Sequence, residues 1–402
     1  MTTVHIIGGG LAGLSAAIRA MARGWTVRLY EASRQAGGRC RSFEDATLGR
    51  VIDNGSHLIL GANRAIFNYL DLLGARDRLV PMANPRFPFL DVTSGESWSL
   101  HLPWGLGPRD MITAARLMMA TRDAKLGRYI AQSRPSWRRF WEPLAVAALN
   151  TEAEEGSARL IGRVLRLSLL KGGEASRPYF ARASLGDVLV KPALARLDSA
   201  VIFGARLRSM AFEGERVSCL HFGDGEVAID FDDLVVLAVP SWDAGEQVPG
   251  LTVPTGTRPI VNAHFVIGEQ VRLAGGAPFL GLVGGVAQWL FLRDGVVSAT
   301  ISAAGPLADE PAERVAELVW ADIRKAVGVP ALEIPPYRII KEKRATIVQT
   351  PESDSLRPPS RTRWRNLALA GDWTQTGLPA TIESAVQSGE NAVQSLAHTL
   401  KS

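Results

Sequence analysis

The sequence predicts an α/β protein in which a Rossmann-like dinucleotide-binding domain is interleaved with a mixed α+β domain. Its 402 residues are too many for one small domain, and 47% are hydrophobic against 21% charged, so a large core can be buried. A strand, a glycine-rich turn, a helix and a second strand follow one another within the first 31 residues. Helical spacing dominates residues 105–170, whereas strand patterns return after Asp198.

The first elements form a strand–helix–strand unit. Val4–Ile7 is a short apolar strand, and residues 11–23 carry apolar side chains at helical spacing, with Gly24 as a plausible stop. Thr26–Tyr30 is a second strand, which ends at Glu31. This order is typical of the first unit of a parallel sheet.

Alternation and turn residues predict the later elements. Residues 223–225 (GDG) are predicted to turn a β-hairpin, and Thr381 is a suitable N-cap for the last helix. The predicted strands are 201–203, 217–222, 227–231, 234–239, 258–267, 296–302, 337–348 and 366–370. The predicted helices are 311–327 and 382–400, and residues 350–362 are predicted to form a loop.

The composition argues against several classes of protein. Cys40 and Cys219 are the two cysteines, without a CxxC motif, so we expect no disulfide framework, no metal site and a reducing intracellular compartment. The N-terminus has no basic stretch ahead of a long apolar run, so we expect no signal peptide. The longest uncharged stretch, 273–292, contains five glycines and is predicted to form two buried strands rather than a membrane span.

Gly8, Gly10 and Gly13 match a GxGxxG fingerprint that follows a strand and opens a helix. Gly8 permits the tight turn, Gly10 lets the backbone approach a pyrophosphate, and Gly13 lets helix and sheet pack closely. A GxGxxG pattern alone is weak, and its position between a strand and a helix makes it specific. The sequence therefore predicts a dinucleotide site at this turn.

The start of the first helix and the end of the second strand complete that site. Leu11 and Ala12 begin the helix, whose free N–H groups and positive dipole end suit the phosphates. Glu31 lies 18 residues beyond Gly13 and is expected to accept hydrogen bonds from ribose hydroxyls.

Other segments resemble the amine oxidase and phytoene desaturase flavoproteins. The segment 37–42 (GGRCRS) resembles their GGR segment, and 51–57 (VIDNGSH) resembles the turn that meets the flavin. The segments 369–373 (LAGDW) and 376–385 (TGLPATIESA) resemble their C-terminal flavin motif. The resemblance implies an FAD-binding Rossmann-like domain interleaved with a substrate domain.

The same resemblance implies which residues meet FAD. Arg39 stacks near the cofactor, Asp372 holds the ribityl or pyrophosphate region, and the backbone of Leu207 meets adenine. The helix start after Asp372 directs its N–H groups at the flavin. The further cofactor-binding residues are Gly38, Gly55, Ser56, Gly371, Ala380, Thr381 and Ile382. Residues 371–385 contain no Cys or His, so we expect the FAD to be non-covalent.

Within this superfamily the chain is similar to the squalene-associated FAD-dependent desaturases, also called the hydroxysqualene dehydroxylase family. The segments that carry the similarity are 369–393, 281–291, 148–160 and 342–352. The resemblance implies reductive removal of the hydroxyl of hydroxysqualene, which gives squalene for hopanoid synthesis, with an unidentified electron donor. The flavin is then reduced first, and the lipid accepts a hydride.

A C30 isoprenoid requires a long apolar tunnel and a proton donor for the departing hydroxyl. His57 is our candidate for this catalytic acid because the resemblance places its turn beside the flavin; Glu152 and His264 are alternatives. The segments that could line the tunnel are 87–90, 117–119, 165–170 and 279–292.

The positive charge of the chain is concentrated in residues 105–141, which contain eight Arg or Lys and two Asp, while the whole chain has a net charge of +5. This composition is typical of an interfacial helix on an anionic membrane, so we expect a cytoplasmic protein attached peripherally to the inner face of the cell membrane. No nucleic-acid motif accompanies the charge, and no nucleic-acid partner is expected. The interleaved apolar residues are Leu106, Met111, Ile112, Leu117, Met118, Met119, Ile130, Trp137, Phe140 and Trp141.

The predicted FAD-binding domain comprises 1–75, 200–250 and 345–402, and the substrate domain comprises 76–199 and 251–344. Three other functions stay open at this point: a carotenoid or phytoene-type desaturase, an amine oxidase, and a flavin-free prenyl-binding carrier like the Rab GDP-dissociation inhibitors. The complete glycine fingerprint argues against the carrier.

Overall fold

Two sheets of different type organise the chain, for which a computed structural model describes residues 2–101, 106–168, 171–328 and 333–400. The strands are β1 (Thr3–Ile7), β2 (Thr26–Glu31), β3 (Ser42–Asp45), β4 (Arg50–Asp53), β5 (Ile59–Leu60), β6 (Leu79–Pro81), β7 (Phe87–Asp91), β8 (Ser97–Leu100), β9 (Pro178–Ala181), β10 (Val201–Phe203), β11 (Leu207–Glu213), β12 (Arg216–Phe222), β13 (Gly225–Ala228), β14 (Leu234–Leu237), β15 (Thr257–Val266), β16 (Phe279–Val283), β17 (Trp289–Arg293), β18 (Val296–Ile301), β19 (Tyr337–Ile347) and β20 (Leu367–Leu369). The helices are α1 (Leu11–Ala22), α2 (Arg64–Leu73), α3 (Pro108–Met118), α4 (Glu142–Leu149), α5 (Ala158–Leu167), α6 (Gly173–Ser176), α7 (Leu185–Leu189), α8 (Lys191–Leu197), α9 (Ser241–Gln247), α10 (Gly305–Asp309), α11 (Ala312–Val327), α12 (Pro351–Ser355) and α13 (Ile382–Thr399).

The first sheet has the strand order β10-β2-β1-β14-β20, and all of its pairs are parallel. Its central strands are apolar on both faces because α1 and α13 cover one face and the small sheet β11-β12-β13 covers the other. Gly389 of α13 permits the close crossing with α1, since a Cβ there would lie 2.3 Å from the carbonyl oxygen of Ala12.

The second sheet has the order β19-β15-β18-β17-β16-β7-β8 and is antiparallel except between β16 and β7. Along β15, Val261, Ala263 and Phe265 pack against α11, while Asn262 and His264 lie on the opposite face. This confirms the alternation predicted for residues 258–267. The opposite face is partly covered by α3, α4 and α5.

Most of the predicted elements are confirmed, including the hairpin turn at 223–225 and the two strands within 273–292. The loop predicted for 350–362 is wrong over its first part, where α12 forms. Thr350 caps this helix by accepting a hydrogen bond from the amide of Ser353, and Pro351 occupies its first turn. Residues 105 and 169–170 of the predicted helical region lie outside the described residues.

The domain boundaries stay a prediction, although the structure shows how the two parts meet. Helices α7 and α8, which the predicted division assigns to the substrate domain, pack in the same core as α1. Among the described residues, no helix is both long and apolar enough to cross a membrane.

Candidate active site

In the glycine turn between β1 and α1, a side chain would clash at two of the three fingerprint glycines and would fit at the third. Gly8 has φ +106°, and a Cβ there would lie 2.5 Å from the carbonyl oxygen of Ala238. A Cβ on Gly13 would lie 1.9 Å from the carbonyl oxygen of Gly8. A Cβ on Gly10 would meet no atom within 4 Å. Gly8 and Gly13 are therefore required by the fold, whereas Gly10 borders open space.

The start of α1 is suited to an anion. Its first helical hydrogen bond runs from the amide of Leu14 to the carbonyl of Gly10, so the preceding turn, which includes Ala12, makes no intrahelical bond. The helix has neither a capping side chain nor an acidic residue in its first turn. The positive end of the helix dipole is thus left for a ligand beside Gly10.

Glu31 is held at the end of β2 next to this turn. Its carboxylate accepts hydrogen bonds from the amides of Gly9 and Ser33, both at 2.7 Å, and each oxygen keeps a further lone pair for a ligand. The carbonyl of Glu31 accepts a hydrogen bond from the amide of Ala205. Ala205 lies two residues before Leu207, which is half-buried and begins β11. Glu31 and the segment that ends at Leu207 are therefore neighbours.

Arg39 and Asp372 form a two-pronged ion pair across 333 positions of sequence. The two terminal nitrogens of Arg39 donate to the two oxygens of Asp372 at 2.9 and 2.7 Å. Asp372 is buried, while Arg39 is 44% exposed and also donates to the carbonyl of Ala345. Gly38 adjoins the glycine turn, since a Cβ there would lie 3.4 Å from the Cα of Gly10. The GGR segment and the C-terminal motif thus meet beside the dinucleotide turn.

The turn 53–57 is fixed by buried Asp53. Its carboxylate accepts from the amide of Leu185 at 3.0 Å and from Arg293 at 2.8 Å. On the other side, Asn262 donates to the carbonyl of Asn54 at 3.0 Å. A Cβ on Gly55 would lie 3.1 Å from Nδ2 of Asn262, so the turn packs tightly on the second sheet.

His57 ends this turn, two residues beyond Gly55 and next to half-buried Ser56. Its side chain is accessible, yet burial by surrounding protein lowers its pKa from the ordinary 6.5, and Arg39 lowers the pKa further while Asp53 opposes the shift. Both properties are expected of a side chain that lines a concave wall. The imidazole is therefore mainly neutral at pH 7.

The C-terminal motif begins α13, with Ile382 as the first helical residue. Thr381 caps the helix as predicted, accepting a hydrogen bond from the amide of Ser384. The amide of Ala380 donates to Oε1 of Gln349 at 2.7 Å, and the amide of Gly371 donates to the hydroxyl of Ser388 at 2.7 Å.

Three polar side chains that hold this motif, buried Gln349 and Arg357 and half-buried Glu383, were not found from the sequence. Gln349 bridges Ala380 to the carbonyl of Leu149, and Arg357 donates to the carbonyl of Leu378 at 2.6 Å and to that of Asp372. Glu383 accepts from the two amides that begin α2 beyond Arg64, and burial raises its pKa to about 7. Gln349 lies within the segment 342–352, but its role depends on tertiary contacts.

The two alternative proton donors are poorly placed. Glu152 is paired with Arg258, 3.1 Å away. His264 is buried in the second sheet, where its Nδ1 lies 2.8 Å from the hydroxyl of Ser298 and burial lowers its pKa to about 4. His264 is only 1% exposed, so a substrate cannot reach its imidazole, whereas the side chain of His57 is accessible.

The residues gathered here fit a flavin cofactor. The open space at Gly10 and the uncapped start of α1 fit a pyrophosphate, and Glu31 fits a ribose. The turn that carries His57 adjoins Arg39, since Asn54 donates to the Arg39 carbonyl, and the start of α13 adjoins Asp372, since Ser384 donates to the Asp372 carbonyl. These two segments fit the flavin ring. The arrangement therefore supports a flavin cofactor.

Comparisons with known proteins agree with this geometry. Residues 11–397 match the family described as flavin containing amine oxidoreductase. The chain is 43% identical to a hydroxysqualene dehydroxylase of Sinorhizobium fredii, over 97% of both chains, and 44% identical to one of Rhodopseudomonas palustris, also over 97% of both. Cyclohexylamine oxidase from Brevibacterium oxydans has a similar structure, with a TM-score of 0.74 and 16% identity over 100% of both chains. The chain thus belongs to the flavin containing amine oxidoreductases, is a flavin-dependent oxidoreductase, and falls within the hydroxysqualene dehydroxylase group of that family.

Proposed function

We propose that this protein removes the hydroxyl group of hydroxysqualene reductively and releases squalene, with FAD bound non-covalently. The substrate is argued from the relatives that carry the name hydroxysqualene dehydroxylase and from one observation on this chain. That observation is an apolar, aromatic wall that begins at the turn carrying His57.

The wall is one face of the second sheet. Asn262, Thr300, Trp289, Gly281 and Phe89 are direct partners on successive strands, so their side chains share this face. This row of side chains begins with Asn262, which donates a hydrogen bond to the Asn54 carbonyl of the turn. Farther from the turn, the row contains the aromatic residues Trp289 and Phe89. In the next row, Phe291 pairs with Phe279, whose rings lie 6.4 Å apart.

The accessible part of this wall lies near the turn. Trp289 and Phe291 are half-buried, and so is Phe180 of β9, whose ring lies 5.6 Å from that of Phe279. All three pack against the same core cluster as Leu58 and Leu60, which follow His57. Phe89 and Phe279 are buried beneath the helices. Half-buried aromatic rings suit an isoprenoid chain, and their π faces also suit the allylic cation that forms when the hydroxyl leaves.

One of the predicted tunnel segments lies away from this wall, and part of another lies outside the described residues. Residues 117–119 do not line this wall, since Leu117 is buried between α3 and α5 and Met119 is 83% exposed on the outer surface. The physical reason is that helical spacing shows an apolar stripe without showing which side faces the core. Residues 169–170 lie outside the described residues.

In the proposed reaction the chain binds the lipid, excludes water and supplies a proton. Reduced flavin supplies the hydride that replaces the lost hydroxyl. His57 donates a proton to the departing hydroxyl, which leaves as water. Because burial lowers the pKa of His57, the imidazolium is a minor species at pH 7. The rate of hydroxyl loss should therefore rise as the pH falls below neutrality.

FAD specificity and non-covalent attachment are argued from the site. Glu31 disfavours a 2′-phosphate, and the glycine turn accommodates a pyrophosphate. Cys40, which adjoins Arg39, is buried, and burial raises its pKa to about 12, so its thiol is a poor nucleophile. Acid precipitation should release a yellow supernatant that contains FAD; a pellet that keeps the colour would overturn the proposal.

Product analysis under anaerobic conditions tests the reaction. Enzyme with chemically reduced flavin is incubated with hydroxysqualene, and squalene is the expected product. His57→Gln should lower the rate while flavin content stays constant. Failure to consume hydroxysqualene, together with oxidation of a more saturated isoprenoid by the oxidised enzyme, would move the assignment to a desaturase.

We also propose that α3 attaches the protein to an anionic membrane surface. Met111, Ile112 and Met119 are 40%, 63% and 83% exposed, and they lie on the outward side of α3 or directly after it. Arg109 and Arg116 flank them, and neither forms an ion pair with the described residues. An apolar strip flanked by arginines is the pattern of a helix that lies on a bilayer.

This surface is smaller than the one predicted from the sequence. Five residues of the predicted apolar set are buried in the core: Leu117, Ile130, Trp137, Phe140 and Trp141. Four of the basic residues are paired with acidic partners: Lys125, Arg134, Arg138 and Arg139. The membrane proposal therefore depends on α3 rather than on the whole of residues 105–141.

Vesicle flotation tests the membrane proposal. Vesicles with anionic lipid should carry the protein upward, less so at high salt, and the double variant Ile112→Ser, Met119→Ser should stay behind. Phe231→Ser is the matched control, because it removes an 82% exposed apolar side chain outside α3. Equal recovery of wild type and double variant with the vesicles would overturn the proposal.

A further inference from the structure

A cluster of metal-ligating side chains lies on the small sheet, outside the flavin site. Cys219 and His221 are two positions apart on β12 and so share one face, and Glu226 of β13 is the direct partner of His221. One ligand atom from each of the three side chains lies within 4.8 Å of the other two. Their spacing in sequence matches no metal-binding motif. It is the hairpin at 223–225 that brings Glu226 back beside His221.

The neighbours on this face leave the cluster open. The partners of Cys219 are Ala211 on β11 and Ala228 on β13, and the partner of His221 on β11 is Ser209. These side chains are too small to cover the three ligands. The opposite face is packed, since Met210 and Leu220 belong to the core beneath the parallel sheet. The backbone that carries the cluster is therefore fixed by the core, while the ligands face solvent.

The distances are close to those of tetrahedral coordination. Nδ1 of His221 lies 3.4 Å from Oε2 of Glu226. Metal–ligand bonds of about 2.0–2.1 Å at tetrahedral angles put a nitrogen and an oxygen ligand about 3.4 Å apart. The 4.8 Å limit for the whole cluster leaves the Cys219 sulfur to be brought in by a small side-chain rotation.

The ligand types select the metal. A thiolate and an imidazole suit zinc-like transition metals, whereas Ca²⁺ and Mg²⁺ require oxygen ligands. A thiolate and a carboxylate also neutralise the charge of a divalent ion. We propose that Cys219, His221 and Glu226 bind one zinc-type divalent ion, with solvent in the fourth position.

The location suggests what a bound ion would do. The ion would join β12 to β13 directly before and after the turn, whose Phe222 stacks on Tyr30 with 4.7 Å between ring centroids. Tyr30 precedes Glu31 in β2. Bound metal would therefore stabilise the hairpin that packs beside the dinucleotide site, and it would raise the melting temperature with metal concentration.

Cobalt titration of the full-length, flavin-loaded protein after chelator treatment tests the proposal. Tetrahedral Co²⁺ with a thiolate ligand absorbs strongly in the red, where oxidised flavin does not. We expect saturation at one Co²⁺ per chain, displacement by Zn²⁺, and a Zn²⁺-dependent rise in melting temperature. Cys219→Ser and His221→Gln should each weaken binding by more than about tenfold.

Asp224→Asn is the matched control, because it removes an exposed carboxylate from the same turn without touching the cluster. It should bind Co²⁺ like the wild type. Weak octahedral spectra in the wild type, or equal affinity in wild type, Cys219→Ser and His221→Gln, would overturn the proposal. These outcomes are independent of the reaction, since no step of the measurement uses hydroxysqualene.

Discussion

A methyl group added at Gly10 should weaken flavin binding while leaving the stability of the fold unchanged. Its backbone has φ −72° and ψ 177°, which any residue adopts, and a Cβ there would meet no protein atom within 4 Å. Gly10→Ala should therefore change the free energy of unfolding of the flavin-free protein by less than about 0.5 kcal/mol. The added methyl group projects into the open space beside the start of α1, where we propose that the pyrophosphate binds.

The expected loss of affinity follows from the hydrogen bonds at the start of α1. A charge-assisted hydrogen bond contributes about 1.5–3 kcal/mol. Moving the pyrophosphate away from two backbone amides would then cost about 3–6 kcal/mol, or a factor of roughly 10²–10⁴ in Kd. Gly10→Val should purify without colour.

Flavin content per chain and urea unfolding of the flavin-free protein measure the two effects separately. Gly13→Ala is the matched comparison, because its Cβ would lie 1.9 Å from the carbonyl oxygen of Gly8 and should destabilise the fold with or without flavin. A Gly10→Val protein that binds flavin as tightly as the wild type would refute the placement of the pyrophosphate.

Three further experiments test the supporting contacts. Thr381→Ala should lower the free energy of unfolding by about 1 kcal/mol through loss of the N-cap, while Thr381→Ser keeps it; equal urea midpoints would contradict this. A double-mutant cycle of Arg39→Gln and Asp372→Asn should give a coupling energy of about 1–3 kcal/mol in thermal or urea unfolding, and additive effects would show that the pair does not contribute. Because burial lowers the pKa of His264 to about 4, the unfolded chain takes up a proton below pH 6.5 before the folded one does, so stability should fall by up to roughly 3 kcal/mol between pH 6.5 and 4. His264→Gln should flatten that part of the stability profile, and an unchanged slope would argue against this assignment.

Structural features that depend on residues close together in sequence could be predicted from local patterns. The GxGxxG turn, the alternation along β15 and the cap at Thr381 are set within a few residues, and all three are present in the structure. The partners of Asp372 could not be predicted in the same way. Arg39 lies 333 positions away, and only the folded structure shows that the carboxylate of Asp372 pairs with the guanidinium of Arg39.

The buried polar side chains around the C-terminal motif show the same limit. Gln349 and Arg357 look like ordinary polar residues near a strand end and a loop, and their carbonyl partners become visible only when the chain is folded. Composition misled at residues 350–362, where α12 forms, and at residues 105–141. A helix with apolar residues on several sides has only one side against the core, so on α3 Leu117 is buried while Ile112 is exposed.

Electrons are proposed to flow from reduced flavin to the lipid, and anaerobic reoxidation of the pre-reduced enzyme measures that direction. Bleached enzyme is mixed with hydroxysqualene, and visible absorbance and product are followed together. We expect the yellow absorbance to return as squalene appears, with one squalene formed per flavin reoxidised. Enzyme that stays bleached with hydroxysqualene, and that is instead bleached from its oxidised form by a more saturated isoprenoid, would contradict that direction.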